Sequence, residues 1–320
     1  MKKSNFLLLF LLCTYTGIFA QKQNVYFIKD DGQYVETRDS ADFIRIVQEP
    51  DKGSALYIVK EFYLDGKVRS LGLSLKIEPL VYEGTYRAVY NNGNKKQVAS
   101  YVKGKLSGPV YNYYPNGKLY TRYVYEDAVP GSVFASYKIT EVYDSTGNVL
   151  VKDGSGECVF YDKDFKYIAG RGKIKDGEYD GIWTGEDRTQ HVTYKETYAQ
   201  GKMITGESTD QQNVTVTYTK GAVQPEYKGG MNNFYRYLGQ SIRYPPNCQR
   251  MGIQGVVLVN FAVDKDGSLH DIRVSNYANE ELAAEAVRVI RQSPSWMPGM
   301  MRGRKVRVRY NVPVSFALSQ

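Results

Sequence analysis

Across 320 residues the chain has only two histidines, three cysteines and two tryptophans, and its 11 prolines are scattered instead of gathered into a run. The two histidines, His191 and His270, leave little room for acid–base or metal chemistry, because neither has a Cys, His or carboxylate cluster at ligand spacing. No nucleophile elbow, zinc signature or phosphate-binding glycine loop occurs. The chain therefore reads as non-enzymatic, with no catalytic residue, cofactor or metal. Asp264, Asp266 and Asp271 invite a carboxylate or calcium site, but Asp264 and Asp266 sit where a hairpin turn needs them. Cys158 and Cys248 fall in different halves and read as two unpaired small apolar residues, with a disulfide left open.

Long apolar runs are also missing after the start. Lys2 and Lys3 precede a short apolar stretch from Phe6 to Cys13, then Ile18-Phe19-Ala20 before Gln21. A positive start, a brief greasy core and a small residue at the cut predict a secretory signal over residues 1–20, cleaved after Ala20. The core is shorter than the roughly 20 residues that a membrane helix needs. An uncleaved anchor is the alternative, and N-terminal sequencing of the mature protein decides between them.

Charge is unevenly placed. Residues 225–320 carry 13 Lys and Arg against 7 Asp and Glu, whereas residues 21–224 balance, so most of the overall +8 belongs to the last part of the chain. Such a patch is either a well-solvated surface or a means of steering toward an acidic partner. No nucleic-acid-reading motif surrounds it, so nucleic acid is not an expected partner.

Residues 21–224 hold most of the 29 tyrosines, together with turn dipeptides at close intervals. These are Asp31-Gly32, Asp65-Gly66, Asn92-Gly93, Asn116-Gly117, Thr146-Gly147, Asp176-Gly177 and Gln200-Gly201. Each predicts a strand reversal through a two-residue hairpin loop. The turns recur with similar flanks: Gly104, Gly108, Tyr111 and Asn116-Gly117-Lys118 are echoed by Gly177, Gly181 and Trp183, and by Tyr63-Leu64-Asp65-Gly66-Lys67. In this pattern glycines let strands approach while an aromatic ring covers the sheet face. It resembles MORN-type repeats, hairpins of roughly 20 residues stacked into one extended sheet. An antiparallel sandwich would produce the same turns and stays open. A straight hairpin stack would form a rigid arm many tens of ångströms long.

Residues 225–320 change character. Met231, Phe234, Tyr235, Leu238 and Ile242 have helical spacing that ends before Tyr244-Pro245-Pro246. Val256 to Val263 is apolar on both faces and predicts an inner strand, with Asp266-Gly267 turning it into a partner over Ser268 to Ser275. Asn279 caps a second helix with Glu280 and Glu281 in its first turn, and Pro294 ends it. The run from Lys305 to Phe316 alternates apolar and polar residues like a half-buried strand, and Pro313 predicts that at least one side of it is an edge or a strand end.

The order α-β-β-α-β, with Tyr244-Pro245, Gly255, Asp266-Gly267 and Trp296-Met297-Pro298-Gly299 at these places, resembles the C-terminal domain of the TonB family. The expectation is an α+β protein: a signal at 1–20, an all-β MORN-like array over 21–224, and a small two-layer TonB-like domain over 225–320. The resemblance implies a periplasmic location and contact with an outer-membrane TonB-dependent transporter or another envelope protein. The partner would add a strand at the domain edge. The residues expected there are Tyr244, Pro245, Arg304, Val306, Arg307, Val308, Arg309, Tyr310 and Val312. Standard energy transducers also have a membrane anchor and a proline-rich linker, which this sequence lacks. Two readings follow: an adaptor in TonB-type transport, or an envelope scaffold that binds cell wall or glycan with its tyrosine-rich array. Pairing of edge strands into a homodimer is left open.

Overall fold

The computed structural model describes residues 23–126, 136–274 and 279–318. The predicted signal at 1–20 lies outside these residues. Residues 23–218 supply an 18-stranded antiparallel sheet in which strands pair in succession, the chain reversing at each turn.

Two kinds of turn build this sheet, a distinction that the dipeptides alone did not reveal. At residues 63–67 the Tyr63 amide donates to Lys67 O, and the Gly66 amide donates to Tyr63 O. The same pair of bonds recurs at 29–33, 90–94, 114–118, 144–148 and 264–268. The preceding Asp, Asn or Thr is not left-handed in these turns; only the glycine is, as at Gly66 with φ 87°. They are three-residue loops closed by a glycine bulge, not the two-residue loops expected. In five of the six the side chain supports the loop, because Oδ1 of Asp31, Asp65, Asn92, Asn116 and Asp266 accepts the amide two residues on. Asp176-Gly177 and Gln200-Gly201 are two-residue loops as expected, with φ of 53° and 79°, and 49° and 72°.

Neighbouring hairpins lock together through tyrosine hydroxyls. Tyr63 Oη donates to Val89 O at 2.8 Å, Tyr90 Oη to Tyr113 O at 2.7 Å and Tyr114 Oη to Tyr143 O at 2.9 Å. Each donor opens its own turn, and each acceptor lies just before the next one. Glycines outside the repeat pattern sit under the large rings: a Cβ on Gly172 would fall 2.4 Å from the Trp183 indole, and one on Gly206 2.3 Å from the Tyr218 ring, whereas Gly108 and Gly181 of the pattern have nothing within 4 Å.

The sheet is not flat. The Tyr161 amide donates to Tyr120 Oη at 3.1 Å although the strands Tyr137–Tyr143 and Val149–Lys152 lie between them. Three strand spacings would be about 14 Å in a plane, beyond the reach of a tyrosine. The sheet therefore curls here, and Tyr114, Tyr120, Val151, Ile174 and Trp183 fill the bend as one core.

The last part of the chain has a separate core around Phe234, Phe261, Leu282, Ile290, Trp296 and Val314. Helix α1 (Met231–Ser241) turns Phe234 and Leu238 inward. Pro246 then starts a short helix, α2 (Pro246–Arg250), that the sequence pattern did not announce. Helix α3 (Glu280–Arg291) is capped as expected, with the Asn279 side chain accepting the Glu281 and Leu282 amides. Gly255–Val263 is the central strand of three, flanked by Leu269–Val274 and by Val308–Phe316. A further correction concerns the basic run. It is two strands, not one: Arg304–Val306 pairs with Gly299–Met301 in another small sheet, and Val308–Phe316 starts afresh after Arg307.

Both Cys158 and Cys248 are buried and free. Burial pushes the Cys158 thiol up to about 12, which makes it an inert core group.

Candidate functional site: a free sheet edge beside the hairpin array

Val308–Phe316 pairs along its whole length with Gly255–Val263, and no other described strand pairs with it. Among the described residues its outer backbone edge is therefore unpaired. Val312, Val314 and Phe316 are buried under the helices, while Arg309, Asn311, Pro313 and Ser315 alternate with them and are exposed. Pro313 cannot donate to any ladder, which is tolerable on an edge and blunts unwanted pairing.

The expected site residues separate into three groups. Val308, Arg309, Tyr310 and Val312 share the open strand. Tyr244 stands at its far end: the ring meets Phe316 edge-on at 5.8 Å, and Oη donates to Ile253 O at 2.7 Å. Pro245 follows it as the cap of α2. Arg304 and Val306 belong to the other small sheet. Arg304 is not presented to a partner, since its guanidinium donates to Asp210 Oδ2 at 2.8 Å and to Val214 O at 2.6 Å in the array. Arg307 donates to Asp264 at 2.9 Å and to Asp271 at 2.7 Å, and the Asp271 hydrogen bond raises its already high pKa.

The array meets this region at both of its ends. Near its start, the Asp31 carboxylate accepts from Arg309, which holds its pKa below the usual carboxylate range, and Arg273 donates to Gln33 Oε1 at 2.9 Å. At its end, Ala222–Val223 pairs with Gly299–Met301, and the Arg302-Gly303 turn enters the last array strands. Arg302 Nη1 donates to Asp187 Oδ2 at 2.8 Å, and the guanidinium lies 3.9 Å over the Tyr194 ring. Its Nε is 3.3 Å from Glu196 Oε1 in an ion pair without hydrogen-bond alignment. Glu196 is buried and also accepts from Tyr218 at 2.9 Å and Tyr198 at 3.0 Å.

Eighteen strands laid flat would stretch roughly 80 Å, against about 30 Å for a compact unit of this region's size. An array touching the unit at both ends is curled onto it, which corrects the expectation of an extended arm. Arg302, Glu196, Asp187, Asp210 and Asp31 are interface residues that sequence reasoning missed. Arg302-Gly303 offered one signal, a turn dipeptide like those of the array. Among the described residues no His, Cys, Asp and Glu cluster could hold a metal ion, and no helix is long and apolar enough to cross a membrane.

The domain is thus a helix-backed, three-stranded sheet whose last strand is paired on one side only among the described residues. Residues 240–318, about a quarter of the chain, match the family described as Gram-negative bacterial TonB protein C-terminal. Among solved structures, the NMR structure of the Helicobacter pylori TonB C-terminal domain is similar at 25% identity. That match covers 28% of this chain and 81% of that one, with a TM-score of 0.23. No curated protein matches the chain.

Proposed function

We propose that this chain is a non-enzymatic adaptor of the cell envelope, acting in TonB-type energy-coupled transport across the outer membrane. Its C-terminal domain docks an outer-membrane transporter or another envelope protein by strand addition along Val308–Phe316, and the curled MORN-like array sets the orientation of that edge. The open backbone edge carries this reading, since an unpaired row of amides and carbonyls next to apolar side chains is what an extended peptide completes. The family match over residues 240–318 supports a partner of this class and a periplasmic setting. Export through residues 1–20 belongs to the same reading, with the domains divided at 225. Arg309, Tyr310 and Val312 are the docking residues proposed, with Val308 and Arg307 at one end of the strand and Tyr244 and Pro245 at the other.

A glycan-binding role for the tyrosines is less well supported. Tyr63, Tyr90, Tyr114, Tyr194 and Tyr218 donate their hydroxyls to backbone or carboxylate groups of the array itself. A photo-crosslinking amino acid at exposed Asn311, compared with one at Met251, tests the proposal in intact cells. Crosslinks to an outer-membrane transporter from 311 and not from 251 are expected. Crosslinks only to a second copy of the chain would make the edge a dimer interface, and none from either position would remove the docking role.

A further inference from the structure

The two contacts between the array and the C-terminal domain differ in kind. At the far end of the array, Arg302 and Arg304 are about one-fifth exposed, and their carboxylate partners are equally or more deeply covered. Packing there is tight: a Cβ on Gly303 would stand 2.9 Å from the Val216 side chain. Backbone joins as well, with the Arg302 amide donating to Gly221 O at 2.7 Å and Ser208 Oγ to Arg302 O at 2.8 Å. At the near end, Arg309 and Asp31 are 46% and 40% exposed, and the neighbouring contact is one Arg273–Gln33 hydrogen bond. Beside them an open cavity of about 500 Å³ separates Tyr26 and Tyr34 of the first hairpin from Asn260 and Arg273 of the domain sheet. Charge pairs held in solvent contribute little, and unfilled space forgoes the contacts that would add to them. Buried pairs are costly to separate.

We infer that the array is latched permanently to the C-terminal domain at Arg302 and Arg304 and caught reversibly at Asp31, and that a docking strand bearing a carboxylate opposite Arg309 releases the catch. The second half rests on the edge-docking reading. A strand added along Val308–Phe316 places the side chain opposite Arg309 on the same face of the sheet, about 5 Å away, where an Asp or Glu competes with Asp31 for the guanidinium. Docking then frees the first hairpin while the latch keeps the two parts joined. The requirement on the partner is thus an acidic residue at one register position.

Hydrogen–deuterium exchange on the full mature chain tests the asymmetry without a partner. Raising NaCl from about 50 mM to about 1 M, where the screening length falls to roughly 3 Å, should speed exchange at 29–35 and 269–274 and leave 299–306 unchanged. Asp31→Asn should do the same at low salt. Equal response of both regions, or response of neither, overturns the inference. Arg304→Gln, which removes the charge and shortens the side chain while keeping an amide donor, should speed exchange at 299–306 and not at 29–35. Coupling to docking is read in the crosslinking experiment at Asn311, where Asp31→Asn should raise the transporter yield about two- to fivefold. An unchanged yield with the exchange asymmetry intact rejects the coupling alone. Absence of crosslinks in both chains counts against docking and not against the catch.

Discussion

Gly172 and Gly239 show how one residue type carries opposite requirements. Gly172 has ordinary backbone angles but lies under Trp183, where even a methyl group would meet the indole at 2.4 Å. Gly239 sits inside α1 with no positive φ, and a methyl group added there would have nothing within 4 Å. Gly172→Ala is expected to destabilise the protein by about 1–3 kcal/mol through overpacking. Gly239→Ala should stabilise it by about 0.5–1 kcal/mol, because a helix interior favours alanine. Urea unfolding of the two variants checks both signs. Alternation of glycine with aromatic residues was visible in the sequence around Gly177, Gly181 and Trp183. Which glycine lies under which ring depends on register, and Gly172 and Trp183 face each other within the irregularity between the Arg171–Thr184 and Lys173–Asp180 pairs.

The turns act as repeated elements with a shared electrostatic property. Hydrogen bonds from the Thr146 hydroxyl and from Asn148 lower the Asp144 pKa, the Val214 amide does so for Asp210, and the Ser268 hydroxyl for Asp266. A carboxylate whose folded pKa lies below its unfolded value adds stability that is complete above the unfolded value of 3.8 and lost as pH falls through the folded one. Circular dichroism during acid titration should therefore show the array intact at pH 5 and progressively weakened below about pH 4. An array equally stable at pH 2.5 and pH 6 would contradict this origin of turn stability. Asp-Gly and Asn-Gly located the reversals in the sequence. They did not decide between two- and three-residue loops: Asp65-Gly66 and Asp176-Gly177 are the same dipeptide, and only at Asp176 is the first residue left-handed, with φ 53°.

Over the whole molecule the dominant feature is closure of the array onto the C-terminal domain. Arg302→Met keeps the side-chain bulk but leaves Glu196 buried with only its two tyrosine donors. The expected cost is about 2–3 kcal/mol, less than for a buried pair without other partners. If latch and array share one cooperative unit, scanning calorimetry should show one transition for the native chain and two for this variant. Two transitions in both chains would mean that the parts unfold independently.

Local patterns were enough to place the helices α1 and α3, the Asn279 cap, the inner strand and most of the reversals, since each depends on spacing within a dozen residues. The open edge was also legible, because Pro313 interrupts an alternating strand. The fate of the basic residues was not. Arg304, Arg307 and Arg309 follow one another at short intervals, yet the first is bound by the array, the second by its own domain and the third by the first hairpin. Charge counting measures the excess and not where the opposite charges end up. Curling of the sheet brings Asp31 and Asp210, far apart in the chain, to the same small domain, and only the tertiary structure could decide that.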